Sequence, residues 1–132
     1  MSERAVAILI RDDAVLLMRR IKDGEEYYTF PGGMIEQGES PDVTAVRELA
    51  EETTVTSTVT SKLCELDNLG RHEYYFMVRY VSGEPELSGE EKDRMTEANQ
   101  YYPGWYPLDT AFSLPNLYPH KVVELLKQHL GT

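Results

Sequence analysis

The sequence predicts an α/β fold in which a mixed central sheet lies between helices. Two observations lead to this prediction. Most of the chain consists of short β-branched, aromatic or other apolar segments separated by turn residues, and only two stretches have the apolar spacing of a helix. No repeat or low-complexity tract interrupts the 132 residues, so we expect a single domain over residues 1–132.

Six segments are predicted as strands because each is apolar or β-branched and is bounded by turn residues. They are residues 4–11, 14–20, 27–30, 56–66, 72–81 and 104–108. The first two form a hairpin around the turn pair Asp12-Asp13. The polar segment from Gly89 to Gln100 is predicted as a loop.

The first predicted helix begins at Pro41, because Ser40 is an N-cap residue and proline suits the first helical position. Its apolar stripe is formed by residues with helical spacing, namely Val43, Val46, Leu49 and Ala50. The glutamates of this helix lie off the stripe, so we expect a core-facing side and an acidic side. The second predicted helix is amphipathic and covers residues 119–130.

Composition and charge argue against several classes of partner. The net charge of −10 opposes binding to a nucleic acid polymer, which requires clustered Lys and Arg. The longest apolar run, Ala5 to Ile10, is too short to span a membrane, and the N-terminal MSER lacks the basic start of a signal peptide. Cys64 is the only cysteine, so no internal disulfide is available. We therefore expect a cytoplasmic protein whose partners include neither a membrane nor a nucleic acid polymer.

A concentration of acids lies in the stretch RELAEETTV, residues 47–55. Glu48, Glu51 and Glu52 fall on one helical turn, because residues three and four apart are neighbours on a helix. In a half-buried cleft, two carboxylates about 6 Å apart repel by about 3 kcal/mol at an effective dielectric of about 20. A hard divalent cation would offset this repulsion and could share its shell with substrate phosphates. A solvated acidic helix face is the alternative for this stretch alone.

A wider window, residues 33–55, contains a longer pattern with fixed spacing. Its residues are Gly33, Glu39, Arg47, Glu48, Leu49, Glu51 and Glu52, preceded by the sequence FPG at residues 30–32. This pattern resembles the signature box of the Nudix hydrolases. Since a solvated acidic face needs no fixed partners upstream, the pattern favours the metal-binding interpretation.

The resemblance implies a Nudix-type α/β/α sandwich and an enzyme that cleaves a pyrophosphate bond in a nucleoside diphosphate linked to another group. Four ligands are implied for one or more Mg²⁺ ions, with Mn²⁺ as a substitute: the Gly32 carbonyl and the carboxylates of Glu48, Glu51 and Glu52. Gly33, Glu39 and Arg47 are expected to support the box. Glu39 can reach Arg47 if the loop folds back, and the planar fork of arginine suits a carboxylate.

The general base is left open between a box acid, Glu51, and an acid on a later loop. The loop candidates are Glu90, Glu91, Asp93 and Glu97. We favour Glu97 because it lies nearest the strand that contains Trp105. A solvated loop acid is the alternative for each of them.

Substrate contacts are predicted at Arg20 and Tyr102. Arg20 follows a strand that would border the cleft, and in similar triphosphatases an arginine at this place contacts phosphate; a solvated strand end is the alternative. Tyr102, like Tyr101 and Trp105, could stack on a nucleobase, although aromatic residues near a strand often pack in the core. No chemistry is assigned to the three histidines, His72, His120 and His129.

The box is most similar to that of mutator-type triphosphatases, so the substrate expected first is a nucleoside triphosphate that yields a monophosphate and pyrophosphate. Relatives that cleave ADP-ribose carry a proline shortly after the box, and residues 61–75 contain none. Relatives acting on diadenosine polyphosphates carry a tyrosine in that region, and Tyr74 lies slightly too far along. Both substrates stay open as alternatives, as do a nucleotide-binding or sensor domain without turnover and a homodimer.

One residue departs from the family pattern. Thr54 stands just past the helix, where the family usually has a glycine that takes a positive φ at little cost. A β-branched residue does not adopt this conformation readily. We therefore expect either that the helix runs on through Thr54 or that the chain leaves the helix at a different angle.

Overall fold

The computed structural model describes residues 2–86 and 95–131. Its elements, in chain order, are β1 (Glu3–Arg11), β2 (Ala14–Lys22), β3 (Glu25–Thr29), β4 (Gly32–Met34), α1 (Pro41–Thr53), β5 (Thr56–Asn68), β6 (Arg71–Ser82), β7 (Asn99–Pro107), α2 (Leu108–Ser113), β8 (Leu117–Tyr118) and α3 (His120–Leu130). Within these residues, no helix is long and apolar enough to cross a membrane.

The sheet is mixed, and it divides into two parts beyond the first hairpin. β1 pairs with β2 only near their shared turn, at Ile10 with Val15 and at Arg11 with Ala14. Further from the turn, β1 pairs with β4 and, in parallel, with β6, whereas β2 pairs with β3 and β7. β5 extends the first part beside β6, and the parallel strand β8 extends the second part beside β3. The two strands of the hairpin therefore diverge, and residues of both line the cleft between them.

Side chains of β1 alternate between the two faces of the sheet, as expected for a strand. Ala5, Ala7 and Leu9 are buried in one core cluster together with residues of α1. Val6 and Ile8 are buried in a second cluster together with residues of α3. Each face of the sheet is therefore covered by a helix, and the predicted α/β/α sandwich is confirmed.

Element boundaries differ from the prediction mainly in β7. This strand begins at Asn99 instead of residue 104, because it pairs with β2 along its whole length, from Lys22 to Ala14. The last two residues of the predicted loop thus belong to the sheet. The sequence does not predict β4, α2 or β8, since each is too short to show a period. The second predicted helix is α3, with Pro119 as its N-cap residue.

The buried face of α1 differs from the predicted stripe. Val43 is 52% exposed, whereas Ala45, Leu49 and Glu52 are buried. Periodicity shows which residues share a helix face, but the strands packed against the helix decide which face is covered. Glu52 lies on the core-facing side, so the expectation that every glutamate of the helix lies off that side is wrong for this residue.

The structure bears out neither alternative expected for Thr54: the helix does not run on through this residue, and the chain leaves it in the conformation that a glycine would take. The helix ends at Thr53, and Thr54 takes the left-handed conformation with φ 65°, its N–H donating to the Ala50 carbonyl at 2.9 Å. The Thr54 hydroxyl donates to the Glu84 carbonyl at 2.8 Å. Thr54 therefore adopts the conformation that a glycine usually takes at this position, and the hydrogen bond to the Glu84 carbonyl partly offsets the strain.

Candidate active site

A small cleft lies where β1 and β2 diverge, beside the last turn of α1. Its lining residues are Arg4, Met18, Arg20, Thr29, Phe30, Pro31, Gly32, Glu52 and Tyr101. Gly32, just before the box, and Glu52, within it, both line this cleft, and the two diverging strands contribute two arginines. We refer to this space as the β1–β2 cleft.

Arg47 ties the loop before α1 to the helix. Its Nε and Nη2 donate to the two carboxylate oxygens of Glu39 at 2.6 and 2.9 Å. Its Nη1 donates to Glu48 at 2.9 Å and to Glu51 at 3.1 Å, and its Nη2 also donates to the Met34 carbonyl at 3.2 Å. Protein groups thus use the full hydrogen-bonding capacity of this guanidinium. The loop does fold back onto the helix, and the geometry supports the structural role expected for Glu39 and Arg47.

The same contacts keep Glu39 ionised. Hydrogen bonds from Arg47 and from the Thr44 hydroxyl, the latter at 2.5 Å, lower the pKa of the Glu39 carboxyl to about 2. The bond with Glu39, opposed in part by desolvation, raises the pKa of Arg47 above its usual value. A charged pair therefore holds loop and helix together at ordinary pH.

The consecutive glycines Gly32 and Gly33 allow β4 to approach its neighbours closely. A Cβ at Gly32 would lie 2.6 Å from the Ala5 carbonyl oxygen and 2.8 Å from the Cα of Val6, closer than real Cβ atoms come. A Cβ at Gly33 would overlap the side chain of Glu48. The absence of a side chain at Gly33 thus lets the Glu48 carboxylate lie directly against the backbone of β4.

The donor atoms near the cleft suit a hard divalent cation. Glu48 lies against β4, while Glu52 is only 6% exposed and lines the cleft beside Gly32. Carboxylate and carbonyl oxygens are the ligands that Mg²⁺ prefers. Across residues 2–86 and 95–131, no three acidic, histidine or cysteine side chains are grouped closely enough to hold a metal ion. Glu48 and Glu51 instead accept hydrogen bonds from Arg47, so binding an ion would require these carboxylates to turn.

Arg20 enters the cleft with part of its hydrogen-bonding capacity unused. Its Nη2 donates to the Asn99 Oδ1 at 3.1 Å, and its guanidinium carbon lies 4.2 Å from the centre of the Tyr101 ring. Its Nε is buried and has no hydrogen-bond partner within the part of the chain that the structure describes. Leaving such a group unpaired costs about 1–3 kcal/mol. An anionic ligand in the cleft would supply the missing acceptor.

Of the two adjacent tyrosines in β7, Tyr101 lies in the cleft and Tyr102 does not. Tyr101 is buried and pairs with Arg20, whereas Tyr102 pairs with Arg19 in the β2–β7 ladder. The Tyr102 hydroxyl donates to Gln100 at 2.6 Å, and its ring centre lies 5.4 Å from the Arg19 guanidinium. The aromatic residue of β7 that lines the cleft is therefore Tyr101 and not the expected Tyr102, because adjacent strand residues face opposite sides.

The predicted base Glu97 lies in the exposed turn that leads into β7. Its backbone carbonyl accepts a hydrogen bond from the Gln100 side chain at 3.0 Å, and its carboxylate is not among the groups lining the cleft. Glu90, Glu91 and Asp93 lie outside the described residues. Trp105, the landmark used to select Glu97, packs edge-on against Tyr80 in the core with ring centres 6.3 Å apart.

Arg4 and Asn99 contribute to the site, but the sequence does not indicate them. Arg4 lines the cleft and donates to Glu73, which is 69 positions away in the chain. Asn99 holds Arg20, 79 positions away, and also donates to the Tyr101 hydroxyl at 3.0 Å. Contacts of this range depend on strand pairing, so no local sequence pattern indicates them.

The chain matches known proteins over most of its length. The family model for the NUDIX domain matches residues 1–126. A curated relative from Mycobacterium tuberculosis, named as mutator protein MutT4, is 31% identical over 86 residues. That match covers 59% of this chain and 34% of the relative, so this chain corresponds to only part of that protein.

Solved structures share the fold along almost the entire chain. The E. coli ORF135 protein superposes with a TM-score of 0.69 and 25% identity, covering 99% of this chain and 89% of its own. An ADP-ribose pyrophosphatase from Streptococcus suis superposes with a TM-score of 0.71 and 19% identity, covering 99% and 92%. These likenesses confirm the expected fold. The family match over residues 1–126 confirms the expected enzyme class, and by that match the chain belongs to the Nudix hydrolase family.

Proposed function

We propose that this protein hydrolyses a nucleoside triphosphate to a nucleoside monophosphate and pyrophosphate, with Mg²⁺ bound by the box. The observation that carries the proposal is the β1–β2 cleft, where Arg20, with its unpaired Nε, and the buried carboxylate of Glu52 line one small space. A phosphate-binding guanidinium beside a cation-binding carboxylate suits a polyphosphate that shares its metal ion with the protein. The similarity to a relative named as a mutator protein agrees with this choice of substrate.

Four groups would hold the ion: the Gly32 carbonyl and the carboxylates of Glu48, Glu51 and Glu52. When bound, the ion supplies charge neutralisation for the phosphates and makes the attacking water more acidic. Turning Glu48 and Glu51 toward the ion leaves Arg47 bonded to Glu39 and Met34, so the box loop stays attached to α1.

Arg20 binds a phosphate oxygen in this proposal. Its Nε and the remaining Nη hydrogens donate to the phosphate, whereas the Asn99 bond and the Tyr101 ring fix the plane of the guanidinium. A guanidinium fixed in this way loses little side-chain freedom on binding, which favours affinity. Its positive charge would stabilise the negative charge that develops on the phosphate as the bond breaks.

A carboxylate accepts the proton of the attacking water as the new P–O bond forms at the α- or β-phosphorus atom. The bond between that phosphorus and the α–β bridging oxygen breaks, and the bridging oxygen leaves with the other product. Glu51 and Glu97 are the two candidates. Glu51 is 56% exposed and bonded to Arg47, and Glu97 lies two residues before Asn99. Glu97→Gln tests the loop candidate, because loss of the base removes the acidic limb of the pH profile of kcat while Mn²⁺ binding is retained. Glu51→Gln should weaken Mn²⁺ binding as well, since Glu51 is also a proposed ligand of the ion.

Phosphorus NMR tests the proposed reaction. The protein is incubated with Mg²⁺ and, in turn, nucleoside triphosphates, ADP-ribose and dinucleoside polyphosphates. We expect at least one triphosphate to give monophosphate and pyrophosphate signals. Glu52→Gln should abolish the products, whereas Glu124→Gln, an exposed substitution on α3, should not.

Other outcomes contradict the proposal in distinct ways. Turnover of ADP-ribose or a dinucleoside polyphosphate alone would show that the protein is a hydrolase but that its substrate is not a nucleoside triphosphate. Nucleotide binding without any product would identify a binding or sensor domain. If Glu52→Gln formed the products as fast as the unmodified protein, Glu52 would not be a ligand of the ion.

A single domain over residues 1–132, a cytoplasmic location and a homodimer stay predictions. Light scattering of the purified protein measures its mass in solution and decides between monomer and dimer.

A further inference from the structure

A second, larger cavity of about 460 Å³ adjoins the β1–β2 cleft and shares Arg4, Thr29 and Phe30 with it. Tyr27 and Tyr118 line this cavity and meet edge to face, with ring centres 6.4 Å apart. We refer to it as the Tyr27 cavity. Its volume and its flat aromatic walls suit a planar ring.

The tip of the β5–β6 hairpin also contributes to this cavity. Leu69 lines it, is 87% exposed and has a φ of 53°. A bulky apolar residue in the left-handed region is uncommon, and such strain often marks a functional site. A ligand ring in the Tyr27 cavity would cover apolar surface that the protein leaves in water.

Behind the cavity wall lies Glu73, a fully buried carboxylate surrounded by donors. Its Oε1 accepts hydrogen bonds from the Tyr75 hydroxyl at 2.6 Å and from the Asn68 amide at 3.2 Å. Its Oε2 accepts a hydrogen bond from Arg4 at 3.4 Å and forms an ion pair with Arg71 at 3.9 Å. Both carboxylate oxygens are therefore occupied, so Glu73 orients these donors and is not itself available to a ligand.

All four side chains that contact Glu73 also line the cavity: Arg4, Asn68, Arg71 and Tyr75, whose single hydroxyl hydrogen is used by Glu73. A guanidinium carries five N–H donors and no acceptor, so both arginines keep donors for a ligand. The wall of the Tyr27 cavity next to the β1–β2 cleft therefore presents a row of hydrogen-bond donors, which Glu73 holds in place.

The charge of the cavity is close to balanced. Glu73 and Glu25, which lies at the mouth, offset the two arginines, while Glu26 is paired with Arg19 at 2.6 and 2.9 Å. A balanced site favours an uncharged group that accepts hydrogen bonds over a further phosphate, which would need excess positive charge.

We propose that Glu73 is a positioning residue that holds Arg4, Asn68 and Arg71 as a donor edge, and that this edge selects nucleobases carrying carbonyl acceptors. The inference rests on the proposed function, since a base reaches the Tyr27 cavity when its phosphates lie in the adjoining cleft. Guanine and thymine present carbonyl oxygens, whereas adenine presents an amino donor that would face other donors. Two donors that face each other are disfavoured once the bound base displaces water from the cavity wall.

Calorimetric titration of GMP, TMP and AMP tests the selection without requiring turnover. We expect GMP and TMP to bind about 10-fold more tightly than AMP. Glu73→Gln should remove this preference. The glutamine amide replaces one accepting oxygen with an NH₂ group, which cannot accept hydrogen bonds from the donors that Glu73 holds in place. Glu124→Gln is the matched control and should keep the preference. Equal binding of the three nucleotides by the unmodified protein would overturn the inference, as would a preference that survives in Glu73→Gln.

Arg71→Lys covers the case in which Glu73→Gln does not fold, since Arg71 lies at the partly exposed end of β6. It should reduce the preference, and in turnover of GTP against ATP it should raise KM for GTP while leaving kcat unchanged. If Glu73 and its partners had a purely structural role, Arg71→Lys would instead change the kinetic constants for GTP and ATP alike. Base preference in binding without hydrolysis would contradict only the proposed function, and hydrolysis without base preference would contradict only this inference.

Discussion

Arg47 and Arg20 use the same side chain in opposite ways. All the N–H groups of Arg47 are bonded to protein acceptors, including a bidentate pair with Glu39. Arg20 is held by Asn99 and the Tyr101 ring, and its buried Nε has no partner in the described residues. This difference supports the proposal that Arg47 stabilises the fold of the box and that Arg20 binds a ligand.

The largest effect is expected in the cleft beside Arg20. Glu52→Gln keeps the shape of the side chain but removes a carboxylate from the expected ion site. Turnover should fall by more than the roughly 10–100-fold typical of losing a group that only supports a metal ligand. Binding of Mn²⁺, followed by electron paramagnetic resonance, should weaken in parallel while the circular dichroism spectrum stays unchanged. Near-normal turnover would show that Glu52 does not bind the ion.

The two arginines should respond oppositely to substitution by alanine. Arg20→Ala should lower kcat/KM by about 100-fold, the value of two charge-assisted hydrogen bonds, and should leave the free energy of unfolding unchanged. Arg47→Ala should lower the free energy of unfolding by about 3 kcal/mol, because Glu39, Glu48 and Glu51 lose the cation they share. Urea denaturation and steady-state kinetics on both variants measure this. A larger stability loss in Arg20→Ala than in Arg47→Ala would reverse the comparison.

The stabilising role of the Arg47–Glu39 pair should depend on pH. The pKa of Glu39 falls from 4.5 to about 2 on folding, so the unfolded chain takes up the proton first. The stability from this carboxylate is therefore complete above pH 4.5 and is lost as the pH falls toward 2. In Glu39→Gln this part of the decline should be absent from the unfolding free energies measured by urea. Parallel pH curves for the variant and the unmodified protein would contradict the assignment.

The smallest effect is expected at Thr54. Thr54→Gly relieves the strain of a positive φ, about 1 kcal/mol, and loses an exposed hydrogen bond to Glu84 that is worth somewhat less. We expect a gain of about 0.5 kcal/mol in the free energy of unfolding from the balance of these terms. Thr54→Ala is the control, since it keeps the strain and loses the bond, and it should be destabilised. A loss of stability in Thr54→Gly would show that the hydrogen bond dominates.

The box could be predicted from sequence because its contacts are local. Glu39 and Arg47 are eight positions apart, and the glutamates of α1 follow within one turn. Spacing alone therefore brings these groups together. Local spacing cannot show which face of α1 packs against the sheet. The exposure of Val43 and the burial of Glu52 could therefore not be predicted.

The rest of the site could not be predicted because strand pairing assembles it. Arg4 meets Glu73 through the parallel pairing of β1 with β6, and Arg20 meets Asn99 through the pairing of β2 with β7. Tyr101 and Tyr102 differ only in which side of β7 they face, and the sequence of one strand does not fix that side. Arg20 itself was predicted from its position at the end of a strand, without the neighbours that hold it.

Nuclear magnetic resonance of the arginine Nε–H groups distinguishes a ligand-binding Arg20 from a structural Arg47. The protein is titrated with Mg²⁺ and a nucleoside triphosphate whose α- and β-phosphates are joined by a methylene group, and Arg20→Lys assigns the Arg20 signal. We predict that the Arg20 Nε–H resonance moves downfield as it gains a phosphate acceptor, while the Arg47 Nε–H, already bonded to Glu39, stays in place. A shift of Arg47 with no change at Arg20 would contradict the account.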